Sequence, residues 1–179
     1  MTCAEFDLYR LIRNYLNFPK EGILFRDVNP VFRNSAALKC ISDQFLRTLQ
    51  GYKIDIVAGI ESRGFILATA LGLKLNKGII LIRKAGKLPG LTIRKSYNIE
   101  YGSAIMEIQK DAVSSGEKVL VADDLIATGG TASVSAQLIE ELGGRIAAFA
   151  FLVELAYLEG SKELRSKGYT VHSLAVFDQ

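Results

Sequence analysis

The residues best suited to chemistry lie in one segment, where two carboxylates and a glycine-rich turn follow an apolar run. Val119 to Ala122 is apolar, and Asp123 and Asp124 come directly after it. The turn that follows comprises Ala127, Thr128, Gly129, Gly130 and Thr131. Its backbone N–H groups and two hydroxyls, together with the dipole of a following helix, favour a phosphate dianion. The segment therefore predicts a phosphate-binding turn between a strand and a helix.

The two aspartates call for a second kind of ligand, because carboxylates repel phosphate. Asp123 and Asp124 stand at the carboxyl end of a predicted strand, where open α/β sheets bind ligands. They can accept hydrogen bonds from sugar hydroxyls or hold Mg²⁺. Together with the turn, they predict a site for a ribose 5-phosphate. The alternative is structural: the glycines would form a tight turn, and the aspartates would cap the helix.

Other common sites do not match the sequence. Gly59 to Gly64 has the glycine spacing of a P-loop, but Phe65 stands where the lysine is required. No Gly-x-Gly-x-x-Gly follows a predicted strand, so the dinucleotide fingerprint is missing. His172 is the single histidine and there is no Cys-x-x-Cys pair, which argues against a structural zinc site.

The elements around these residues alternate between strands and helices, which indicates an α/β fold with a mainly parallel sheet flanked by helices. The predicted strands are 54–60, 78–82, 119–123, 145–153 and 169–177, and the predicted helices between them are 64–75 and 131–142. Spacing of apolar residues also predicts a helix from Leu8 to about Asn17 and a second helix that begins near Ser35. A loop is predicted over 18–31.

The stretch 84–97 interrupts this alternation. It is basic and contains glycine and proline, which predicts a functional or mobile loop. Residues 97–101 and 103–108 then predict an antiparallel hairpin that turns at Gly102.

Composition limits the function classes. The chain has 179 residues, of which 49% are hydrophobic and 23% charged, so it can fold as one domain. A net charge of +3 does not suggest a nucleic-acid binder. The longest apolar run, Ile146 to Val153, has eight residues, whereas a bilayer crossing needs about 20. Two cysteines do not make a disulfide scaffold, and they point to a reducing compartment. We expect a soluble cytoplasmic protein.

At the level of motifs, the 123–131 segment resembles the phosphoribosyl pyrophosphate (PRPP) motif of type I phosphoribosyltransferases. Four further segments occur in the family's order and narrow the resemblance to its adenine-specific members. They are residues 18–27, 58–65, 81–90 and 96–102. It implies a single domain over 1–179, with a small N-terminal hood of about 1–32 that contributes the adenine site and a flexible catalytic loop of about 84–102. The implied reaction is purine salvage: adenine and PRPP give AMP and pyrophosphate. The resemblance also implies a homodimer, and Mg²⁺ held mainly by PRPP rather than by a protein site.

The resemblance assigns roles to further residues. Those implied to bind pyrophosphate are Glu61, Ser62, Arg63, Arg83, Lys84 and Lys87. The turn that holds the first three has an unusual cis peptide in the family. Arg63 is also counted as catalytic because it can bind the leaving group bidentately. The alternatives are a surface ion pair of Arg63 with Glu61, and a solvated charge cluster for the three later residues.

The base and the proton chemistry are assigned in the same way. Leu24, Phe25 and Arg26 are implied to bind adenine, with Phe25 stacking on the purine and the backbone groups of its two neighbours reading the base edge. Phe25 could equally be an ordinary core residue. Glu100 is implied to face N7 of the purine, with Tyr101 assisting the leaving group, although Glu100 could simply be an outward-facing strand residue.

One position bears on the choice of base. Members of the superfamily that act on 6-oxopurines usually carry an aspartate where this chain has Ala127. The resemblance therefore favours adenine. Two alternatives remain open: a phosphoribosyltransferase for another base, and a PRPP-sensing regulator of the same fold. The regulator would normally carry a DNA-binding domain before the motif, and too few residues precede the first predicted sheet strand for a winged helix.

Overall fold

A seven-stranded sheet forms the centre of the protein, and a two-stranded ribbon stands apart from it. The computed structural model describes residues 7–99 and 102–179, with the backbone alone described at 98–99 and 102–103. The ribbon strands are β1 (Arg13–Leu16) and β2 (Leu24–Asp27). The sheet strands are β3 (Ile56–Ile60), β4 (Ile79–Lys84), β5 (Thr92–Ile99), β6 (Gly102–Gln109), β7 (Lys118–Ile126), β8 (Arg145–Leu155) and β9 (Val171–Phe177).

The helices lie before and between these strands. They are α1 (Leu8–Leu11), α2 (Asn29–Arg33), α3 (Ser35–Thr48), α4 (Gly64–Leu75), α5 (Gly130–Glu141) and α6 (Gly160–Ser166). The Asn34 side chain caps α3 by accepting a hydrogen bond from the Ala37 amide at 3.1 Å. Sequence analysis had placed the start of this helix within one residue.

The order of the sheet is β5-β6-β4-β3-β7-β8-β9. Strands β4, β3, β7, β8 and β9 are parallel to their neighbours in that series, whereas β6 is antiparallel to both β4 and β5. The central strands are apolar on both faces because helices cover both sides. This arrangement confirms the predicted α/β class with a mainly parallel sheet.

Two hydrophobic clusters lie on opposite faces of the sheet. One joins α3 and α4 to β3 and β8 and includes Phe45, Leu67 and Leu152. The other joins α5 to β7 and β8 and includes Leu138 and Phe149. Alternate residues of a strand point to opposite faces, so β8 supplies both clusters. The two helices that begin at the candidate site, α4 and α5, are therefore fixed against the sheet from opposite sides.

The predicted N-terminal helix is wrong beyond Leu11. Residues 13–16 form β1, which pairs antiparallel with β2 in the register Tyr15 to Phe25. Asn17 has a φ of 58°, which turns the chain back instead of extending a helix. Among the apolar side chains that suggested a helical face, Tyr15 and Leu16 are 46% and 77% exposed, whereas Leu8 and Ile12 are buried. The loop predicted over 18–31 was also incomplete, because β2 and α2 form within it.

The long loop predicted over 84–97 is shorter in the structure. Residues 92–99 form β5, which pairs with β6 over its whole length, from Thr92 opposite Gln109 to Ile99 opposite Gly102. The predicted antiparallel pair of strands is therefore present, with a longer first strand. The prediction of a turn at Gly102 is wrong, because Gly102 is the first residue of β6 and pairs with Ile99. Residues 100–101 lie outside the described residues.

One cysteine differs from the expectation. Cys40 on α3 is buried and disulfide-bonded, so the inference of reduced thiols from the cysteine count is wrong there. Cys3 is the other cysteine of the chain and lies outside the described residues. In the described part of the chain, every helix is too short or too polar to span a bilayer.

Candidate active site

Two strand-to-helix turns meet at one edge of the sheet. Strands β3 and β7 are parallel neighbours, paired from Ile56 with Val119 to Gly59 with Ala122, so their carboxyl ends lie side by side. The turn after β3 holds residues 61–63, and the turn after β7 holds residues 127–129. Gly64 allows the close approach, because a Cβ there would lie 2.7 Å from Asp123 Oδ1 and 2.8 Å from Ala122 O. This edge is where ligands bind in open α/β sheets.

The turn after β7 has the predicted form of an anion cradle. Gly129 precedes α5 with a φ of 81°, a conformation that favours glycine, and its carbonyl accepts the first helical bond from Ser133 N at 2.8 Å. A cavity of about 110 Å³ opens against the turn. Its lining includes the predicted residues Asp123, Ala127, Thr128, Gly129, Gly130 and Thr131. The N–H groups at the start of α5 are therefore available to a phosphate.

Asp124 does not line that cavity but forms an ion pair. Its Oδ2 lies 2.8 Å from Arg63 Nε, and its side chain is only 8% exposed. The alternative pairing of Arg63 with Glu61 is not the one present in the described structure. A guanidinium from one turn thus neutralises a carboxylate from the other.

The pKa of the Asp123 carboxyl is shifted from its ordinary value. Burial raises the pKa of Asp123 well above its usual 3.8, and the neighbouring charge of Asp124 raises it further. The Asp124 amide, which donates to Asp123 Oδ1 at 2.8 Å, and the charge of Arg63 act in the opposite direction. A protonated carboxyl donates as well as accepts a hydrogen bond, so the raised pKa suits contact with a sugar hydroxyl.

The turn after β3 connects to the basic residues of the predicted pyrophosphate group. Glu61 Oε2 accepts from Arg83 Nε at 3.0 Å and from the Lys84 amide at 2.9 Å. The peptide bond between Glu61 and Ser62 is cis, as the resemblance implied. Ser62 is exposed at the turn, and Arg63 precedes α4. Glu61 therefore joins the turn to strand β4.

Lys84 and Lys87 are exposed beside this turn. The backbone near Lys87 is bound by Glu107, a residue that the sequence analysis did not identify. Glu107 on β6 is fully buried and accepts from the amides of Lys87 and Leu88 at 2.8 and 2.9 Å and from Arg94 Nε at 2.9 Å. Burial alone would raise the pKa of Glu107, but these donors outweigh burial and lower it. An isolated acid within the apolar strand 105–108 was the available signal.

On the other side of Arg63, the ribbon borders an aromatic cavity of about 390 Å³. The residues lining the cavity are Tyr15, Phe18, Phe25, Asp27, Asn29 and Arg63. The ring of Phe25 meets that of Phe18 edge to face at 5.0 Å, and the Arg63 guanidinium lies 5.6 Å from the Phe25 centroid. Phe25 is half-buried at a cavity wall, so it is not a simple core residue.

The side chains of the other two predicted adenine residues are placed differently. Leu24 is half-buried and is not part of the cavity lining. The buried Arg26 side chain donates to Asn14 Oδ1 at 2.7 Å and to Gln179 O at 2.6 Å, and its guanidinium lies 4.1 Å over Phe177. Any contact of Arg26 with a base must therefore use its backbone, as the resemblance implies.

The two remaining predicted residues, Glu100 and Tyr101, lie outside the described residues. Tyr97, on the described part of the same hairpin, was missed by sequence analysis. Its hydroxyl accepts a hydrogen bond from Thr131 Oγ1 at 3.3 Å, which links strand β5 to the phosphate turn. Lys95, two residues earlier, pairs with Glu141 at the other end of α5 at 2.7 Å. Strand β5 is therefore joined to both ends of α5, the helix that follows the phosphate turn.

The described residues contain no group of three or more histidine, cysteine or acidic side chains that could hold a metal ion. Asp123 and Asp124 are adjacent carboxylates on β7, and Asp123 lines the candidate phosphate cradle. A hard cation such as Mg²⁺ binds through one or two carboxylates when substrate oxygens and water complete its shell.

Comparison with known proteins agrees with this geometry. A family model for the phosphoribosyl transferase domain matches residues 32–176. The adenine phosphoribosyltransferase of Nitrosopumilus maritimus is 55% identical over 151 residues, which are 84% of this chain and 89% of that protein. The crystal structure of adenine phosphoribosyltransferase from Thermoanaerobacter pseudethanolicus aligns with a TM-score of 0.92 and 41% identity, covering 98% of this chain and all of that one.

A third relative was crystallised with ligands. Adenine phosphoribosyltransferase from Saccharomyces cerevisiae, complexed with an imino-altritol bisphosphate and adenine, aligns with a TM-score of 0.88 and 41% identity. The alignment covers 93% of this chain and 96% of that one. With this identity and coverage, the chain belongs to the adenine phosphoribosyltransferase family of phosphoribosyl transferase domains.

Proposed function

We propose that this protein transfers the 5-phosphoribosyl group of PRPP to adenine and releases AMP and pyrophosphate. The observation that carries the proposal is the position of Arg63, which pairs with Asp124 at 2.8 Å and stands 5.6 Å from the ring of Phe25. One guanidinium thus lies between a cavity suited to a flat base and the carboxylates suited to a sugar. The names and ligands of the relatives support adenine over another base, and an enzyme over a regulator.

In the proposed complex, each end of PRPP has its own turn. The 5-phosphate accepts hydrogen bonds from the N–H groups and hydroxyls of residues 128–131. Asp123 and Asp124 hold the ribose hydroxyls. The pyrophosphate lies against the turn of residues 61–63, where Arg63 binds it bidentately and Arg83, Lys84 and Lys87 add positive charge.

The bond changes follow from this placement. N9 of adenine, stacked on Phe25, attacks C1′ of the ribose as the bond from C1′ to the pyrophosphate oxygen breaks. Positive charge develops on the sugar in an oxocarbenium-like transition state, and negative charge develops on the leaving pyrophosphate. Arg63 stabilises that negative charge more strongly in the transition state than in bound PRPP, which is the requirement for catalysis. A Mg²⁺ ion held mainly by PRPP would neutralise pyrophosphate charge, and Asp123 and Asp124 are the carboxylates that would stand nearest to it in this placement.

The proton chemistry of the base is assigned to Glu100. Adenine must lose one ring proton as AMP forms, and bond formation at N9 makes a proton on N7 more acidic, so the Glu100 carboxylate can accept that proton. Tyr101 would help to position the leaving group. Replacing Glu100 with alanine is expected to lower turnover more than PRPP affinity. Unchanged turnover in that variant would remove Glu100 from the mechanism.

We further propose that the enzyme works as a cytoplasmic homodimer. The resemblance implies the dimer, and Leu73 on α4 and Leu91 before β5, which are 79% and 76% exposed, would each be stabilised by burial in an interface. Sedimentation equilibrium is expected to give twice the 19.6 kDa chain mass. A monomer at working concentration would refute the dimer without touching the proposed reaction.

The reaction itself is tested by an initial-rate screen of adenine, hypoxanthine, guanine, xanthine and orotate, each with PRPP and Mg²⁺. We expect AMP and pyrophosphate in equal amounts with adenine, and little or no product with the other bases. A preference for a different base, or no turnover with any of them, would contradict the proposal.

A further inference from the structure

A segment outside the candidate site makes direct backbone contact with the phosphate turn. Gly160, the first residue of α6, donates from its amide to Ala127 O at 3.1 Å. Its Cα lies so close to the turn that an added Cβ would overlap Ala127 O and Gly129 N. From the other side, a Cβ on Gly129 would lie 2.9 Å from Gly160 O. Two glycines therefore face each other, and neither position has room for a methyl group.

The contact between α6 and the turn is concentrated at Gly160. Further along α6, a cavity of about 460 Å³ separates the helix from the turn, lined by Thr128, Lys162 and Ser166 among others. The remaining residues of α6 thus stand away from the turn. A shift of Gly160 would act directly on the peptide groups of residues 127–129, which carry the predicted phosphate donors.

Gly160 is itself held by a buried polar cluster at the end of β8. Glu154 is 5% exposed and accepts a short hydrogen bond from Ser161 Oγ. Arg165 Nη1 donates to Ser161 Oγ at 3.0 Å, and its Nη2 lies 3.4 Å from Glu154 Oε2. The start of α6 is therefore fixed to the sheet, which lets it act as a rigid support for the turn.

We propose that Gly160 is a positioning residue for the 5-phosphate: its flat backbone supports the turn of residues 127–129, and the cluster of Glu154, Ser161 and Arg165 holds it in place. This inference rests on the proposed function for the identity of the phosphate ligand. Gly160 touches no substrate, so its replacement should affect only ligands that carry the 5-phosphate. AMP and PRPP belong to that class, whereas adenosine and adenine do not.

The main test compares AMP with adenosine by titration calorimetry in Gly160→Ala. Displacing the turn by about 1 Å is expected to weaken AMP binding by roughly 10- to 100-fold, with adenosine affinity unchanged. KM for PRPP should rise while KM for adenine stays constant. The matched control is Gly78→Ala, because a Cβ at Gly78 meets nothing within 4 Å and its φ is not in the left-handed region.

A second variant covers the case in which Gly160→Ala does not fold. Ser161→Ala leaves Gly160 intact but removes one support of the cluster, and it should weaken AMP in the same direction by a smaller factor. Equal weakening of AMP and adenosine, or no change for AMP, in the folded variants would overturn the inference. If the wild type binds AMP but forms no AMP from adenine and PRPP, the proposed function fails. The ratio of AMP affinity to adenosine affinity in the variants still tests the role of Gly160 in that case.

Discussion

Arg63 and Asp124 form an ion pair across two turns, with 2.8 Å between Nε and Oδ2. Since Asp124 is nearly buried, its carboxylate depends on this guanidinium for charge compensation. The same Arg63 is the proposed ligand of the leaving pyrophosphate. Binding of PRPP must therefore share or replace the Asp124 contact, which couples the sugar carboxylates to the leaving group.

Replacing Arg63 with glutamine tests this coupling. Loss of charge-assisted hydrogen bonds worth about 1.5–3 kcal/mol should lower kcat/KM for PRPP by roughly 10- to 100-fold, with a smaller effect on adenine. Steady-state kinetics with each substrate varied in turn gives the comparison. Arg145→Gln is the control, since Arg145 is exposed at the opposite end of the sheet at the start of β8. Equal kinetics in both variants would exclude Arg63 from the site.

Phe25→Ala should raise KM for adenine and leave KM for PRPP unchanged. Stacking of a base on an aromatic ring is worth about 1–3 kcal/mol, so the expected change is roughly 5- to 150-fold. Leu46→Ala on α3 serves as the control, because Leu46 is also a partly exposed apolar residue, at 38%. A matching rise for both substrates would indicate that Phe25 acts through general packing of the ribbon.

Asp123→Asn should stabilise the protein at neutral pH while reducing activity. The folded-state pKa of Asp123 is raised above its ordinary 3.8, so ionisation costs stability as pH rises through the folded value. Asparagine removes that cost and keeps an oxygen for the Asp124 amide. Denaturant unfolding at several pH values should show the gain shrinking as pH falls below the folded pKa. Asp111→Asn, at an exposed position, should show no such trend.

Glu107→Gln should have the opposite pH dependence. The folded-state pKa of Glu107 is lowered from 4.5, so its ionised form contributes stability that is complete above about pH 4.5 and is lost as pH falls through the lower folded value. The variant should unfold at lower denaturant concentration than the wild type at pH 7, and the difference should narrow in acid. The exposed Glu21→Gln is the control. A difference independent of pH would contradict the role assigned to the carboxylate.

The sequence predicted the parts of the fold where local and tertiary signals agree. Helix α4 has the predicted bounds, and α5 begins one residue before the prediction, because a buried apolar strand and a short turn precede each of them. The spacing of the N-terminal apolar residues was misleading, since Tyr15 and Leu16 are exposed on a two-stranded ribbon rather than packed in a core. Periodicity does not distinguish side chains that face a core from those that face a cavity.

In the candidate site too, residues marked by a local sequence pattern could be predicted, and contacts that depend on the tertiary fold could not. The phosphate turn and the carboxylates could be predicted because one short segment contains them all. Arg63 could be placed at a turn, but its pairing with Asp124 depends on β3 and β7 being neighbours in the sheet. Glu107 and Gly160 act through contacts made by residues distant in sequence. The isolated acid in an apolar strand was a local signal for Glu107, but it does not show which groups Glu107 binds, and no local pattern marks Gly160.

The account depends most on where the nucleotide lies. A crystal structure of the complex with AMP tests this directly. We expect phosphate oxygens within about 3 Å of the N–H groups of residues 128–131, ribose hydroxyls on Asp123 and Asp124, and the purine stacked on Phe25. An AMP molecule whose phosphate lies away from the turn after β7, or whose base lies outside the Phe25 cavity, would contradict the account.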